Sequence, residues 1–412
     1  MEASTGSSRA SGWRARTPPS PLPEHAVVAR PPGSAQELGA CLVAASRASD
    51  SRRLLLEALG VAQALACVQN ANGGWSETAS PGPVCGSHGA ETTKAKETLD
   101  DGTIPSILYF LFDLEDRLSE LSIEPPLWLT ASARRAQHFS IRSQREDGSW
   151  PQIVDDGKGY ARLGTLNDDV TTGMIRVLIA AYRRNGNTAY LDAARRGGDF
   201  LLRAQGAGAQ RAFGQQYDSA LNVAPARKFE PAAYSSLETA YAINALIDLH
   251  LATGDGRYLA AARAAAAWLE ASQTGPGEWA RLYEIGTNKP IYALRAGRVT
   301  YELQDVPAAD LAAYRWTGGR DVYPEIGLAF DRLERLDQGV EGLRALDRRI
   351  AADSLLAATP TARLPLVPAN EAITAATLAS TRRFAEHCAG LIALQMRDGT
   401  LPPEVDDSAA RR

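Results

Sequence analysis

The chain has 412 residues, with 44 lysines and arginines against 48 aspartates and glutamates, and a formal net charge of −4 at neutral pH. This slightly acidic balance argues against a nucleic-acid-binding protein that relies on a basic surface. Hydrophobic residues make up 45% of the chain, and no run approaches the roughly 18 consecutive apolar residues that a membrane span requires. Composition therefore predicts a soluble globular protein with no nucleic-acid or membrane partner.

The N-terminal segment is rich in Ser, Pro, Ala and Arg, and it contains no apolar run of the length found in a secretion signal. We interpret residues 1–50 as a disordered tail. Helical patterns dominate from residue 51 onward, so we expect a catalytic domain over residues 51–330. Residues 331–412 are predicted to be a further helical segment of the same domain.

The helical pattern is clearest where start and stop signals flank it. The segment 234–252 begins with a capping box formed by Ser235 and Glu238 and ends before Gly254. Other segments show apolar residues at spacings of three and four residues. Helices are predicted over residues 53–69, 104–119, 128–144, 168–184, 188–205, 234–252, 257–273 and 370–396.

The predicted helices form antiparallel hairpins because the connections within each pair are short. A phrase containing glutamine, glycine and tryptophan closes several returning helices, as in residues 69–75 and 144–150. Repeated helix pairs predict an all-α architecture, which we expect to be a toroid-like α/α barrel, with an open solenoid as the alternative. In this topology the long loops lie at one end and build a cleft. They span residues 70–103, 145–167, 206–233 and 274–324.

Two acidic sites stand out at this end. Asp168 and Asp169 begin the predicted helix 168–184, and Asp218 lies in a loop that the topology brings to the same end. Taken alone, the carboxylates of Asp168 and Asp169 are best explained by capping of the helix and by favourable interaction with its dipole. Two carboxylates from different loops suit either a calcium site or the acid and base of a glycosidase. The segment 94–101, which contains Asp100 and Asp101, is interpreted as a solvated charged loop.

The stretch 279–300 interleaves basic residues with aromatic ones. Its charged residues are Arg281, Glu284, Lys289, Arg295 and Arg298. Guanidinium groups bind carboxylates in a bidentate manner, and aromatic rings carry sugar rings, so the stretch predicts a site for a carboxylated sugar. The alternative is a loop that is packed by Trp279 and Tyr283 and carries solvated arginines.

Several motifs, taken in chain order, resemble those of family 10 pectate lyases. The motifs are Asn72-Gly-Gly-Trp75, Thr98-Leu-Asp-Asp101, Gly148-Ser-Trp-Pro151, Thr165-Leu-Asn-Asp168, Gly214-Gln-Gln-Tyr-Asp218, Ala226-Arg-Lys-Phe-Glu-Pro231 and the stretch 279–295. The resemblance covers about residues 55–320. Its most specific parts are the phrases Trp-Ala-Arg-x-Tyr-Glu and Thr-Asn-Lys-Pro-Ile-Tyr.

The resemblance implies a mainly helical toroid-like fold and calcium-dependent β-elimination of polygalacturonate. By motif match, Asp168 and Asp218 would bind Ca²⁺ together with the substrate, and Arg295 would be the base that removes the C5 proton. The substrate-binding residues would be Arg281, Lys289, Arg227, Tyr283 and Trp279. Because the substrate is a polymer met outside the cell, we expect an extracellular enzyme, and we expect it to be a monomer.

The chemistry places two demands on such a site. The C5 proton lies beside a carboxylate that is already negative, so a cation must offset the developing charge. An arginine base is normally protonated, so neighbouring cations must lower its pKa. Two alternatives stay open: a metal-independent inverting glycoside hydrolase with Asp168 and Asp218 as acid and base, and a non-catalytic uronate-binding protein.

Overall fold

A computed structural model describes residues 27–79, 96–155, 157–294, 297–311, 314–339 and 343. The predicted helix over 370–396, most of the predicted segment 331–412, and Arg295 lie outside these residues. Within the described part of the chain, no helix is both long and apolar enough to cross a lipid bilayer.

Helices make up most of the described residues. They are α1 (Ala35–Ser49), α2 (Arg52–Val68), α3 (Thr103–Glu120), α4 (Leu127–Arg142), α5 (Val170–Asn185), α6 (Thr188–Ala204), α7 (Ser236–Thr253), α8 (Gly256–Ala271), α9 (Ala308–Leu311) and α10 (Pro324–Asp337). The seven helices predicted between residues 53 and 273 are confirmed, each within two residues at both ends.

The long helices form two layers. In the inner layer α1, α3, α5, α7 and α10 pack side by side in that order, and in the outer layer α2, α4, α6 and α8 do the same. The inner helix α7 buries side chains around most of its circumference, including Ile243, Leu246 and Leu249. This arrangement is an α/α toroid, which confirms the predicted all-α fold class.

The repeated glutamine–tryptophan phrase closes the hairpins. In three repeats the indole N–H donates to the backbone carbonyl ten residues earlier, near the end of the returning helix. The pairs are Trp75–Leu65 at 2.8 Å, Trp150–Ser140 at 2.7 Å and Trp279–Leu269 at 2.7 Å. Gln69 Nε2 also donates to the carbonyls of Gly73 and Ser132, which ties one hairpin to the next. This repeated motif therefore stabilises the packing of the helical hairpins.

Short strands join the loops at one end of the toroid, a feature that the sequence did not predict. They are β1 (Val27–Val28), β2 (Thr78–Ala79), β3 (Gly164–Thr165), β4 (Phe213–Gly214), β5 (Gln216–Tyr217), β6 (Val223–Ala224), β7 (Tyr234–Ser235), β8 (Trp279–Ala280), β9 (Leu282–Tyr283), β10 (Pro290–Ala293), β11 (Val299–Thr300) and β12 (Thr317–Gly318). All pairs are antiparallel, and β3 with β5, and β7 with β9, link loops of different hairpins. The predicted convergence of these loops is confirmed.

Residues 27–49 do not belong to a disordered tail, so that part of the prediction is wrong. Strand β1 pairs with β2, and α1 packs against α2 and α3 with Leu38 and Leu42 buried. A capping box formed by Ser34 and Glu37 begins the helix. The Ser-, Ala- and Arg-rich composition concealed an amphipathic pattern that was long enough for four turns.

Candidate functional site

Two turns with the same sequence pattern begin two adjacent inner helices. Residues 98–101 and 165–168 both read Thr-Leu-x-Asp, and they precede α3 and α5. Asp101 and Asp168 both have left-handed backbone conformations, with φ of 50° and 54°. Such a conformation costs a non-glycine residue about 1 kcal/mol or more, and residues of this kind cluster at functional sites.

The two turns bring three carboxylates together. Asp100, Asp101 and Asp168 each offer an oxygen, and these oxygens all lie within 4.8 Å of one another. Gln152 Nε2 donates to Asp100 Oδ1 at 2.9 Å and to Asp168 Oδ2 at 3.4 Å, and the Asn167 amide also donates to Asp168. We call Asp100, Asp101 and Asp168 the acidic triad.

The electrostatics of the triad favour a bound cation. Burial raises the pKa of Asp168 to about 8, with further contributions from the charges of Asp100 and Asp101. Burial and the charge of Asp101 also raise the pKa of Asp100. A hard divalent cation would relieve this repulsion, and carboxylate oxygens are the ligands that such cations prefer. The donor set therefore fits a hard cation, and three side chains leave further coordination positions for a substrate.

Arg30 places a positive charge against the triad. Its Nε donates to Asp101, its Nη2 lies 3.5 Å from Asp100 Oδ2, and its Nη1 lies 3.2 Å from Glu77 Oε1. Burial alone would lower the pKa of this guanidinium, but the hydrogen bond and charge of Asp101, with the charges of Asp100 and Glu77, together raise it. Arg30 therefore stays charged.

A buried polar network contacts Asn167, the residue that precedes Asp168 of the triad. Arg281 Nη2 donates to Glu238 Oε1 at 2.6 Å and approaches Asn167 Oδ1 at 3.4 Å. Gln215 Nε2 donates to Asn167 Oδ1 at 3.0 Å and to the Tyr314 hydroxyl at 3.3 Å. This network fixes the turn that carries Asp168.

A cavity of about 440 Å³ opens beside the triad, between the inner helices. Its lining includes Asp101, Asp168, Asp169, Arg176 and Glu325. Arg176 donates to Asp169, so its charge is balanced within the lining. Burial raises the pKa of Glu325, with a smaller contribution from the charge of Asp169. The cavity gives the triad an open volume with an acidic wall.

The structure does not bring Asp218 into the acidic triad with Asp168. Asp218 forms the turn between β5 and β6, where its Oδ1 accepts the backbone N–H groups of Ala220 and Asn222, both at 2.9 Å. A side-chain hydrogen bond from the Asn222 amide, together with these backbone hydrogen bonds, lowers the pKa of Asp218. Because β3 and β5 are antiparallel, with Thr165 opposite Gln216, the two aspartates lie at opposite ends of that pair. The acidic partners of Asp168 are Asp100 and Asp101.

Two of the predicted substrate contacts, Trp279 and Tyr283, are buried in the structure. Trp279 is 2% exposed and donates to Leu269, while Tyr283 is 1% exposed and donates its hydroxyl to the Ser272 carbonyl at 2.6 Å. The whole segment from Trp279 to Tyr283 is buried, including Ala280 and Leu282. Both aromatic side chains are structural.

The remaining predicted cations differ in their surroundings. Arg227 is exposed, and its Nε donates at 2.6 Å to Glu230, a buried carboxylate. Lys289 is exposed, with its Nζ 5.6 Å from the centre of the Tyr301 ring. Arg295 lies outside the described residues. Arg227 and Lys289 are thus accessible to a substrate, whereas Arg281 is committed to Glu238.

Sequence reasoning missed Asp100, Asp101 and Arg30 as parts of this site. A signal existed for the two aspartates: the Thr-Leu-x-Asp pattern occurs twice, each time just before an inner helix of a repeated hairpin. Structural repeats place equivalent positions side by side, so the second occurrence predicts a cluster. No comparable signal marked Arg30.

Comparison with known proteins adds a family and a fold. The family model described as pectic acid lyase matches residues 69–276 and 271–322. A mutant family 10 polysaccharide lyase from Cellvibrio cellulosa, in complex with trigalacturonic acid, aligns with a TM-score of 0.54 at 19% identity, over 72% of this chain and 97% of that one. A second structure of a family 10 lyase from Cellvibrio cellulosa aligns with a TM-score of 0.54 at 19% identity, over 70% of this chain and 93% of that one. No curated protein sequence matches the chain.

The structural likeness at this identity shows a shared fold, and the family match defines the class of protein as a polysaccharide lyase. The chain belongs to the pectic acid lyase family, polysaccharide lyase family 10. The resemblance found in the sequence is confirmed. The match supports neither the glycoside hydrolase nor the non-catalytic binding protein.

Proposed function

We propose that this lyase cleaves α-1,4-linked polygalacturonate by calcium-dependent β-elimination and releases unsaturated oligogalacturonides. The observation that carries the proposal is the acidic triad, held on two strained turns at the open end of the toroid. Membership of the pectic acid lyase family supports the choice of substrate. The Cellvibrio cellulosa lyase in complex with trigalacturonic acid supports it further.

Asp100, Asp101 and Asp168 would hold the Ca²⁺ ion. When bound, the ion would act as a Lewis acid on the uronate carboxylate and would offset the charge that develops when C5 loses its proton. The amides of Gln152 and Asn167 restrain Asp100 and Asp168, so the ligand oxygens are oriented before the substrate arrives. Such restraint lowers the conformational free-energy cost of orienting the ligands when the ion and the substrate bind.

Arg295 is proposed as the base, on the strength of the motif match alone. The C5 proton passes to the base, the C4–O4 glycosidic bond breaks, and a C4=C5 double bond forms while the leaving oxygen takes a proton from solvent. Arg227 and Lys289 are proposed to hold the carboxylates of neighbouring uronates, because both are exposed cations on loops at the open end. This division separates proton removal from substrate positioning.

We infer that the enzyme acts outside the cell, because polymeric pectate does not cross membranes. The monomeric state stays a prediction. Neither statement affects the chemistry of the site.

The proposal is tested by the products formed from polygalacturonate. Elimination gives unsaturated, ultraviolet-absorbing ends, whereas hydrolysis gives saturated ones. Purified, folded protein supplied with Ca²⁺ should release unsaturated ends, and saturated products or no products would contradict the proposal.

Two arginine variants test the division of roles. Arg295→Lys should abolish turnover and leave pectate binding intact, while Arg227→Lys should raise KM with little effect on kcat. The reverse pattern would move the base from Arg295 to Arg227.

A further inference from the structure

Arg30 reaches the triad from a segment outside the part of the chain that matches the family. The match begins at residue 69, and Arg30 follows β1, which pairs with β2. The backbone N–H groups of Ala29 and Arg30 both donate to the Glu77 carbonyl, at 2.9 and 3.3 Å. Gln36 Nε2 donates to the Ala29 carbonyl at 2.6 Å. These three hydrogen bonds hold the backbone at Ala29 and Arg30 in place.

The guanidinium of Arg30 contacts three carboxylates through its three nitrogens. Nε donates a hydrogen bond to Asp101, Nη2 faces Asp100, and Nη1 contacts Glu77. Two of these acids belong to the triad, so the guanidinium engages carboxylates that a metal ion would also need. The side chain of Arg30 is 39% exposed, which leaves it room to withdraw towards solvent.

We propose that Arg30 is a tethered counter-cation that exchanges with Ca²⁺ at the triad, an inference that rests on the proposed calcium role of Asp100, Asp101 and Asp168. Three carboxyl groups this close together repel one another when ionised, and a positive charge nearby relieves that repulsion. The guanidinium supplies part of that charge while the ion is absent. When the ion binds, the two cations repel each other and share the same ligands, so binding of one weakens binding of the other.

The exchange has a direct consequence for affinity. Arg30 lowers the affinity of the triad for Ca²⁺ in the free enzyme and keeps the triad from binding other cations tightly. Removal of the guanidinium should therefore strengthen calcium binding. A residue that merely organised the triad would have the opposite effect, because its loss would scatter the ligands.

The test is calcium binding by titration calorimetry on the full chain without pectate. Arg30→Gln should bind Ca²⁺ about tenfold more tightly than the wild type, the order expected for removing one partly screened charge beside a divalent ion. Arg30→Lys keeps the charge and should stay closer to the wild type than Arg30→Gln does.

The matched control is Arg47→Gln. Arg47 lies in α1, is 33% exposed and also pairs with two acids, Asp113 and Glu120, so its replacement should leave calcium affinity unchanged. Thermal unfolding confirms that each variant is folded. Unchanged, weaker or undetectable calcium binding by folded Arg30→Gln would overturn the inference.

A second probe separates this inference from the proposed function. Terbium(III), a luminescent substitute for Ca²⁺, reports occupancy of the site without any turnover. If the wild type forms no unsaturated product while Arg30→Gln still binds terbium more tightly, the lyase proposal fails and the exchange stands. If product forms with Ca²⁺ while Arg30→Gln binds terbium no better, the exchange fails and the lyase proposal stands.

Discussion

Arg281 donates a hydrogen bond from Nη2 to Glu238 Oε1 at 2.6 Å, and the two side chains are only 10% and 0% exposed. Burial alone would lower the pKa of Arg281, but the charge of Glu238 and those of the neighbouring tyrosines together raise it. Glu238 lies in the first turn of α7, and Arg281 joins β8 to β9, so the pair ties a loop of the site to the scaffold. Arg281, which the sequence analysis assigned to substrate binding, therefore forms a buried ion pair within the protein.

Replacing Arg281 should destabilise the protein. Arg281→Ala leaves Glu238 buried and unpaired, which costs about 3–5 kcal/mol. Urea denaturation measures the loss. The control is Arg320→Ala, which breaks an exposed pair with Asp331 and should cost about 1 kcal/mol or less. Equal losses in both variants would show that the Arg281–Glu238 pair behaves as a surface pair.

Trp279→Phe should lower stability and leave substrate binding unchanged. The variant loses the indole N–H that satisfies the Leu269 carbonyl and leaves a void, for a combined cost of about 2 kcal/mol or more. The half-buried Trp128 supplies the control variant Trp128→Phe, which should cost less. A raised KM for polygalacturonate without loss of stability would restore Trp279 as a substrate contact.

The two aspartates that the sequence analysis paired should differ in their effect on calcium binding and activity. The variants Asp168→Asn and Asp218→Asn test this difference. Asp168→Asn removes a ligand charge from the triad and should weaken calcium binding and lower lyase activity by about 100-fold or more. Asp218→Asn alters only the turn between β5 and β6, so both quantities should stay within about threefold of wild type. Calorimetry and the initial rate of product formation test this, and equal losses would return Asp218 to the site.

The stability of the ion-free protein should fall as the pH rises from about 4 to about 8. Burial and the charges of Asp100 and Asp101 raise the pKa of Asp168 from 3.8 to about 8, so in this window the native state holds a proton that the unfolded state has lost. Native protein thus binds more protons than unfolded protein, and the slope of unfolding free energy against pH is negative. Denaturation in the presence of a chelator measures it.

Asp168→Asn is the control for this slope. The amide does not titrate, so the variant should show a flatter dependence of stability on pH than the wild type. Calcium must displace the same proton, so its apparent affinity for the wild type should rise with pH up to about 8. A variant with an unchanged slope would assign the effect to other groups.

The helical scaffold was predictable from the sequence because each hairpin carries its own local signals. Periodicity, capping residues and glycine stops lie within a few residues of the helix ends that they determine, as Ser235 and Gly254 illustrate. The convergence of the long loops then followed from topology alone.

The site was only partly predictable because it depends on contacts between distant segments. Asp168 was identified, but its partner Asp100 lies 68 positions away in another repeat, and Arg30 comes from a segment with the composition of a tail. Trp279 and Tyr283 had the residue types of a sugar platform, yet burial gave them scaffold roles. Residue type predicted the chemistry of the site better than it predicted which side chains face the solvent.

The central claim, a calcium-dependent lyase, is tested most directly by the rate of ultraviolet-absorbing product release from polygalacturonate as calcium is removed and restored. The account predicts that a chelator abolishes product formation by the folded enzyme and that added Ca²⁺ restores it. Release of unsaturated product at an undiminished rate in excess chelator would contradict the calcium role, and chain cleavage without unsaturated ends would contradict elimination itself.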